Sequence, residues 1–391
     1  MIKIFFLFNT IYSLIRIYLQ TIFSKNKKFL IFYFPVKAYQ ENIIELINAI
    51  KDKKLKIILT FNKSTSNEIK KYQNSFFLDL GYLSYIPFKN FFLKNINFFL
   101  SSYLTYIYPP YSKNIYISHD IYDAPMINKK LEKKMFIRIN KIDYIFAGSE
   151  VSKKYLYNQL KKYNKNIKPK IFNTGYLKLD HVFNKNKLVN KKKNKSYGKN
   201  ILIAPAYSYN YRTYNISKIL INLIDYLIYD QKKIIIYRPH PLDLTNKGDI
   251  NMVEKIMDKF KNNKNFKLDR NVSYLKSYKE SDFLLTDITS IAYTYAFSSE
   301  KPVIFYSPKE KLIKKDRFLN IHYINDRPGI GIICKNFNEI KNAINKFTKK
   351  RIFYKKKIIN MRKKRIKFFN NAKIETRKTL LSITSNNEFK S

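Results

Sequence analysis

A chain of 391 residues with 45% hydrophobic content is long enough for two domains with sizeable cores, which excludes a disordered or fibrous polypeptide. Its 76 Lys and Arg against 28 Asp and Glu give a net charge of +48, a field that draws a protein to polyanions or to anionic lipid. One cysteine, Cys334, excludes an intrachain disulfide or a cysteine metal cluster, and the four histidines show no metal-ligand spacing, so neither a metal nor a cofactor is expected.

Part of the lysine excess follows from composition, because Lys, Asn, Ile, Tyr and Phe share A/T-rich codons while Gly (7) and Trp (0) are scarce. The depletion of Asp and Glu adds a surface preference to that bias. The 33 Tyr and 31 Phe are spread through apolar segments, where core packing rather than base stacking is expected. No nucleic-acid motif accompanies the charge, so nucleic acid is not an expected partner.

Residues 1–25 are apolar, with Asn9, Thr10, Arg16 and Gln20 among them. No small-residue cleavage site follows, which argues against a signal peptide. Arg16 near the middle would cost about 2.5–3.5 kcal/mol in a spanning helix. An interfacial amphipathic helix, followed by Lys25, Lys27 and Lys28, or a first core helix, fits better. Residues 26–183 then alternate strands and helices, the pattern of a parallel sheet wound by crossovers. Strands are expected at 28–35 and 56–61, short apolar runs follow at 102–108, 114–120 and 144–150, and 170–176 gives another strand. Helices are expected at 41–50 and 151–163, the second with Ser149 as N-cap.

Residues 184–200 are nearly all Lys and Asn and read as a linker. The alternation restarts over 201–340, with strands expected at 201–207, 234–237, 282–287 and 302–306. Helices are expected at 216–229, 251–261 and 290–298. Residues 341–391 read as a basic helical segment, in which Lys and Arg clusters alternate with Ile, Phe and Tyr, a pattern that fits a membrane surface or a packing helix.

Three segments carry chemistry. After the run Ile234–Ile236 comes Tyr237-Arg238-Pro239-His240-Pro241, where two prolines hold the backbone extended and present Arg238 and His240 rigidly. Arg238 suits a forked bond to phosphate, and His240 a hydrogen bond or positive charge toward a leaving phosphate. The second segment, Ser281 to Ser290, is a buried strand that delivers Thr286 and Asp287 to its C-terminal edge. Thr289 and Ser290 then open a helix whose N–H groups suit an anion. In open α/β sheets ligands bind at that edge. In the third, Ser118-His119-Asp120 follows Ile115–Ile117, placing His119 where it could take a proton from a hydroxyl, with Asp120 or Asp123 to orient its ring. The adjacency of serine, histidine and aspartate is not a hydrolase triad, which is defined by geometry in space.

With Ile117-Ser118-His119, Ala147-Gly148-Ser149-Glu150, Thr174-Gly175-Tyr176 with Asp180, Ala204-Pro205-Ala206-Tyr207, Arg238-Pro239-His240-Pro241 and Ser281–Ser290 with Lys301-Pro302-Val303 in this order, the chain resembles the CDP-glycerol glycerophosphotransferases. These enzymes prime and polymerise teichoic acids and related bacterial cell-envelope polymers. The resemblance runs from about 115 to 306. It implies an α/β fold of GT-B type, two Rossmann-like domains facing a central cleft, with the basic C-terminal helix beyond them. It implies a CDP-glycerol or related CDP-alcohol donor held by Arg238, His240, Thr286, Asp287, Thr289 and Ser290, with Tyr207 and Arg212 from the Ala-Pro segment. His119 and His240 are the implied catalytic pair, with His119 as base. The implied reaction is attack of an acceptor hydroxyl on the β-phosphorus with release of CMP. The implied partners are a lipid-linked acceptor and an anionic membrane surface, at the cytoplasmic face of the membrane.

The chain departs from the family pattern in three places. Asp120 stands where glycine is usual, Tyr176-Leu177-Lys178-Leu179 replaces a turn with Pro and Arg, and the Ala-Pro segment lacks an immediate basic residue. A glycosyltransferase of the same fold, using a nucleotide sugar for capsule or other surface polysaccharide, therefore stays open as the alternative.

Overall fold

The protein is seen in a computed structural model that describes all residues except 1, 25, 35–39, 51–53, 62–73, 123–134, 164–166, 190–196, 210–213, 246–248, 272, 317–320 and 386–391. It divides into two compact units, 1–180 with 366–391, and 181–365.

The first unit holds strands β1 (Lys28–Phe34), β2 (Leu55–Phe61), β3 (Ser75–Phe77), β4 (Phe98–Ser101), β5 (Lys113–Ile117), β6 (Tyr144–Ala147) and β7 (Lys170–Asn173). They form one sheet in the order β3-β2-β1-β4-β5-β6-β7, and every described pairing is parallel. A parallel sheet covered on both faces needs strands that are apolar throughout rather than alternating. β1 meets that need, with Phe29 to Phe34 all buried. Its odd and even residues enter two different clusters, Leu30, Phe32 and Phe34 on one face and Phe29, Ile31 and Tyr33 on the other.

The second unit holds β8 (Asn200–Ile203), β9 (Ile234–Tyr237), β10 (Phe266–Leu268), β11 (Phe283–Thr286), β12 (Val303–Tyr306) and β13 (Gly331–Cys334). Their order is β10-β9-β8-β11-β12-β13, again parallel in every described pairing. β8 thus lies between β9 on one side and β11 on the other, which makes it the point where the strand order reverses. Each unit is a doubly wound, Rossmann-like domain.

Three stretches differ from the sequence expectation. The apolar run at 102–108 is not a strand; the strand lies just before it, at β4. Ser101 and Ser102 separate two apolar runs, and the first of them makes the strand. The stretch expected as a linker from 184 begins as helix, because the helix Leu177–Val189 runs on into it. Residues 190–196 of that stretch lie outside the described residues.

The basic segment after 340 does not stand apart. The helices Phe337–Lys349 and Arg351–Arg365 belong to the second unit, and Ala372–Ser385 to the first. Several of its cations are ion-paired within the second unit. Arg362 donates to the Phe297 carbonyl and to Glu300 Oε1 at 2.8 Å, and Arg365 makes a forked pair with Asp326 at 2.6 and 2.7 Å. Glu300 sits in the left-handed region (φ 56°), ending the helix Ile291–Ser299 ahead of Pro302. In the first unit, Asp180 accepts the Asn370 and Ala372 N–H groups at 2.8 and 2.9 Å, so its carboxylate caps the entry of the last helix.

The N-terminal helix Ile2–Ile22 buries Leu14 and Ile17 in the first unit while its outer face stays exposed. The burial is that of a core helix, one of the two readings open from sequence. Among the described residues, no helix is long and apolar enough to cross a membrane.

Candidate active site

In the second unit, three loops meet at the C-terminal edge of the strands around β8. They follow β8, β9 and β11, the position that the strand order marks for a ligand.

The loop after β9 carries His240. Its backbone is extended (φ −61°, ψ 139°), as a residue before proline favours, and it caps the short helix Pro241–Leu244. The Leu242 N–H donates to His240 Nδ1 at 3.2 Å. A ring nitrogen that accepts carries a lone pair, so the neutral ring holds its proton on Nε2. Burial lowers the His240 pKa, against the opposing pull of Asp243, and so favours that neutral form. His240 is therefore a fixed Nε2–H donor rather than a cation. Its ring packs on Tyr207 at 5.3 Å, and Tyr207 on Tyr209 at 5.6 Å, so the loop after β8 supplies an aromatic wall.

A test follows from this tautomer. In an imidazole nitrogen NMR titration, His240 should stay neutral with the proton on Nε2 as pH falls through 6.5, and titrate below it. A midpoint at or above 6.5, or a proton on Nδ1, would contradict the geometry.

Arg238, expected to grip a ligand, is anchored within the unit. Its Nη1 lies 2.6 Å from Asp269 Oδ2, with the two side chains only 10% and 2% exposed, and its guanidinium lies over the Tyr274 ring. Burial raises the Asp269 carboxyl, but hydrogen bonds from Ser277 and the Asn271 amide, with Arg238, outweigh it and leave Asp269 below its ordinary range.

Thr286 and Asp287 are also internal. Thr286 Oγ1 donates to the Ala204 carbonyl at 2.6 Å. Asp287, 2% exposed, accepts the Ala206 N–H on Oδ1 and the Ile216 N–H on Oδ2, each at 2.9 Å. Burial pushes its carboxyl up to about 6 against the hydrogen bonds it receives from backbone amides. Both residues thus fasten the loop that carries Tyr207, and Asp287 clamps its two ends. Asp243 adds a further tie, accepting the Ser208 hydroxyl at 2.5 Å. Arg212 lies outside the described residues.

Thr289 and Ser290 are half-buried at the start of the helix Ile291–Ser299, and Ser290 makes no side-chain capping bond. Of the first-turn N–H groups, which in a helix lack an intrahelical acceptor, that of Ala292 donates to the Thr289 carbonyl at 3.2 Å. With the two hydroxyls, this helix start is an anion-friendly corner next to the fastened loop. Deeper in the segment, Asp282 Oδ2 accepts three amides, from Gly198, Lys199 and Asn200, which secures the start of β8. Lys301 donates to the Tyr278, Lys279 and Ser281 carbonyls, and burial lowers its pKa to about 8.

In the first unit, His119 follows β5 at the C-terminal edge of that sheet. Its Nδ1 lies 2.8 Å from the Tyr116 hydroxyl, and its carbonyl accepts the Tyr176 hydroxyl at 2.5 Å. Asp120 Oδ1 accepts the Tyr122 N–H at 3.4 Å, and Asp123 lies outside the described residues. The local sequence motif explains the close packing here. A Cβ on Gly148 would meet the Asp120 carbonyl oxygen at 2.8 Å, so only glycine lets these two turns approach. Ser149 ties the same turns together, donating to the Ile121 carbonyl and capping the next helix through Ser152 N–H at 3.1 Å.

The sequence reading named Tyr176 within the Thr174-Gly175-Tyr176 segment but gave it no role, and it singled out neither Tyr116, Asp243 nor Asp269. Among the described residues, no group of three or more His, Cys, Asp or Glu could hold a metal ion.

Comparison with known proteins now bears on this edge. A sequence model of the family described as CDP-glycerol:poly(glycerophosphate) glycerophosphotransferase matches residues 15–377. No curated protein matches the chain by sequence. Among solved structures, the wall teichoic acid polymerase TagF is similar with a TM-score of 0.60 at 15% identity, over 93% of this chain and 92% of that one. A putative UDP-N-acetylglucosamine 2-epimerase from Listeria monocytogenes gives 0.59 at 12% identity, over 93% and 98%. The UDP-GlcNAc 2-epimerase from Neisseria meningitidis bound to UDP-GlcNAc gives 0.58 at 14% identity, over 91% and 100%. These likenesses, with the two parallel sheets, show a GT-B fold.

Proposed function

The chain belongs to the CDP-glycerol:poly(glycerophosphate) glycerophosphotransferase family, and from that premise we propose that it moves glycerol phosphate from CDP-glycerol to a hydroxyl of a lipid-linked acceptor. The reaction runs at the cytoplasmic face of a membrane and releases CMP. In this reading the acceptor oxygen attacks the β-phosphorus, a new P–O bond forms, and the P–O bond to the bridging oxygen of CMP breaks. The acceptor proton passes to His119 Nε2, with Nδ1–H turned to the Tyr116 hydroxyl. Nε2–H of His240 donates to an oxygen of the pyrophosphate, and the start of the helix Ile291–Ser299, with Thr289 and Ser290, holds its charge. Tyr207 stands beside that donor, and Arg238, Thr286 and Asp287 act by positioning the loops.

The observation that carries this reading is the Leu242 N–H bond to His240 Nδ1. It gives a neutral, oriented donor at the strand edge where an α/β sheet takes its ligand. The test is a panel of CDP-glycerol, CDP-ribitol, UDP-sugar and GDP-sugar donors, read by thermal shift. CDP-glycerol should raise the melting temperature most, because a ligand that binds only the folded state stabilises it in proportion to the logarithm of its saturation. Stabilisation by a UDP- or GDP-sugar alone would replace this reading with a glycosyltransferase.

A further inference from the structure

Opposite the edge that carries His119, the first unit has a second feature that the proposed reaction does not use. A cavity of about 560 Å³ opens at the N-terminal ends of β5, β6 and β7. Four lysines line it, Lys89, Lys113, Lys141 and Lys168, against one aspartate, Asp143. Both oxygens of Asp143 are engaged, one by the Asn114 N–H at 2.8 Å and one by Lys168 at 3.4 Å. Lys141 donates to the Tyr106 carbonyl at 3.1 Å and Lys89 to the Ile86 carbonyl at 3.3 Å. These contacts hold the Lys89, Lys141 and Lys168 ammonium groups in place, and an ammonium carries three N–H donors in all. The cavity is a preformed basic basin rimmed by aromatic side chains, of which Tyr111 is 79% exposed.

The cavity shares a wall with the N-terminal helix. Ile107 and Tyr108 line it and also pack against the cluster that contains Leu14 and Ile17. Phe91, in the same short helix as Lys89, contacts Tyr18 with ring centroids 4.8 Å apart, and Asn95 bonds Thr21 at 3.0 Å. The outer face of the N-terminal helix is apolar apart from the exposed Arg16. Ile4, Phe5, Phe8, Tyr12, Ile15, Leu19 and Phe23 are all exposed, at helical spacing. Tyr85 and Phe88, 78% and 72% exposed, flank the helix Lys89–Leu93. The helix Ile2–Ile22 contains no acidic residue, and its Arg16 lies along the Tyr12 and Phe76 rings. A long apolar stripe that no described residue covers, beside a basic basin, has the chemistry of a bilayer interface with anionic headgroups.

We propose that the Lys89–Lys113–Lys141 cavity receives the phosphate of an anionic lipid headgroup while the exposed stripe of the N-terminal helix lies in the interface. This deepens the membrane-side part of the proposed function and rests on it. The occupant is a membrane lipid. A soluble anion satisfies the lysines but leaves seven large apolar side chains of one helix in water.

The experiment is flotation of the full chain with phosphatidylcholine vesicles, with and without phosphatidylglycerol. Wild type should bind the anionic vesicles. The Lys89→Gln/Lys113→Gln/Lys141→Gln variant should lose roughly 100-fold in partitioning, about fivefold per charge near an anionic surface. Phe8→Ser/Phe23→Ser should lose binding to both kinds of vesicle. A control triple on the exposed side of the helix Phe337–Lys349, Lys341→Gln/Lys346→Gln/Lys349→Gln, should bind as wild type. An equal loss in that control would overturn the cavity in favour of diffuse charge. Circular dichroism melting of each variant separates lost binding from lost fold. CMP release with CDP-glycerol and a detergent-solubilised lipid-linked acceptor is read in parallel. Vesicle binding without CMP release defeats the proposed reaction and leaves this surface standing; CMP release without vesicle binding defeats the surface alone.

Discussion

Replacing His119 by alanine is expected to lower turnover by about 10²–10⁴-fold, the range that a positioned proton acceptor supplies. The ring is half-buried at the end of β5, with Nδ1 2.8 Å from the Tyr116 hydroxyl. Its removal should therefore change the unfolding free energy by only about 1 kcal/mol, the net worth of such a bond. A large kinetic loss with a small stability loss is the signature of a group that acts on the reaction. Tyr116→Phe keeps the ring packing and removes only the hydroxyl. It should cost roughly fivefold in turnover, equivalent to about 1 kcal/mol. Steady-state kinetics with thermal melts on the same samples checks both variants. Full turnover in His119→Ala would remove His119 from the reaction.

Asp287→Ala is expected to destabilise the second unit by about 2–5 kcal/mol, because two buried amide groups lose their acceptor at once. Those amides, Ala206 and Ile216, bracket the loop that bears Tyr207. KM for the donor should therefore rise together with the loss of melting temperature. Asp287→Asn keeps one carbonyl acceptor and should show about half of each effect. A residue that gripped the donor directly would behave differently, with KM rising while the melting temperature held.

A pH dependence follows from the same burial. The carboxyl is raised from 3.8 to about 6 in the folded state. A raised folded value means the folded chain binds the proton more tightly than the unfolded chain. Its stabilising term is therefore fully present below pH 3.8 and lost as pH rises through about 6. Asp287→Asn does not titrate, so the stability of wild type relative to it should fall across that window. Chemical denaturation at several pH values measures this difference.

How much of this was legible in the sequence depends on the range over which each feature is made. A buried parallel strand is a short apolar run, and its ligand edge is the polar residues that follow, so β5, β9 and β11 and the loops after them could be read locally. The proline-bracketed His240 was legible for the same reason, since proline fixes the backbone wherever it stands. The partners were not. Asp269 reaches Arg238 across 31 residues, Tyr176 reaches the His119 carbonyl across 57, and Asn370 returns to Asp180 across 190. No periodicity carries such pairings. Arg238, Thr286 and Asp287 read as ligand contacts in the sequence, and the bonds that each makes within the unit could not be read there. The stretch from Ile96 to Tyr108 shows the opposite limit, where apolar runs lie on both sides of Ser101 and Ser102 and either reads as a strand.

The most direct test of the proposed reaction is CMP release by the purified full chain given CDP-glycerol and a lipid-linked acceptor. The structure and family membership lead us to expect CMP to form in step with an acceptor extended by glycerol phosphate, and His119→Ala to suppress both. Absence of CMP with CDP-glycerol, alongside acceptor-dependent release of UDP from a UDP-sugar, would contradict it.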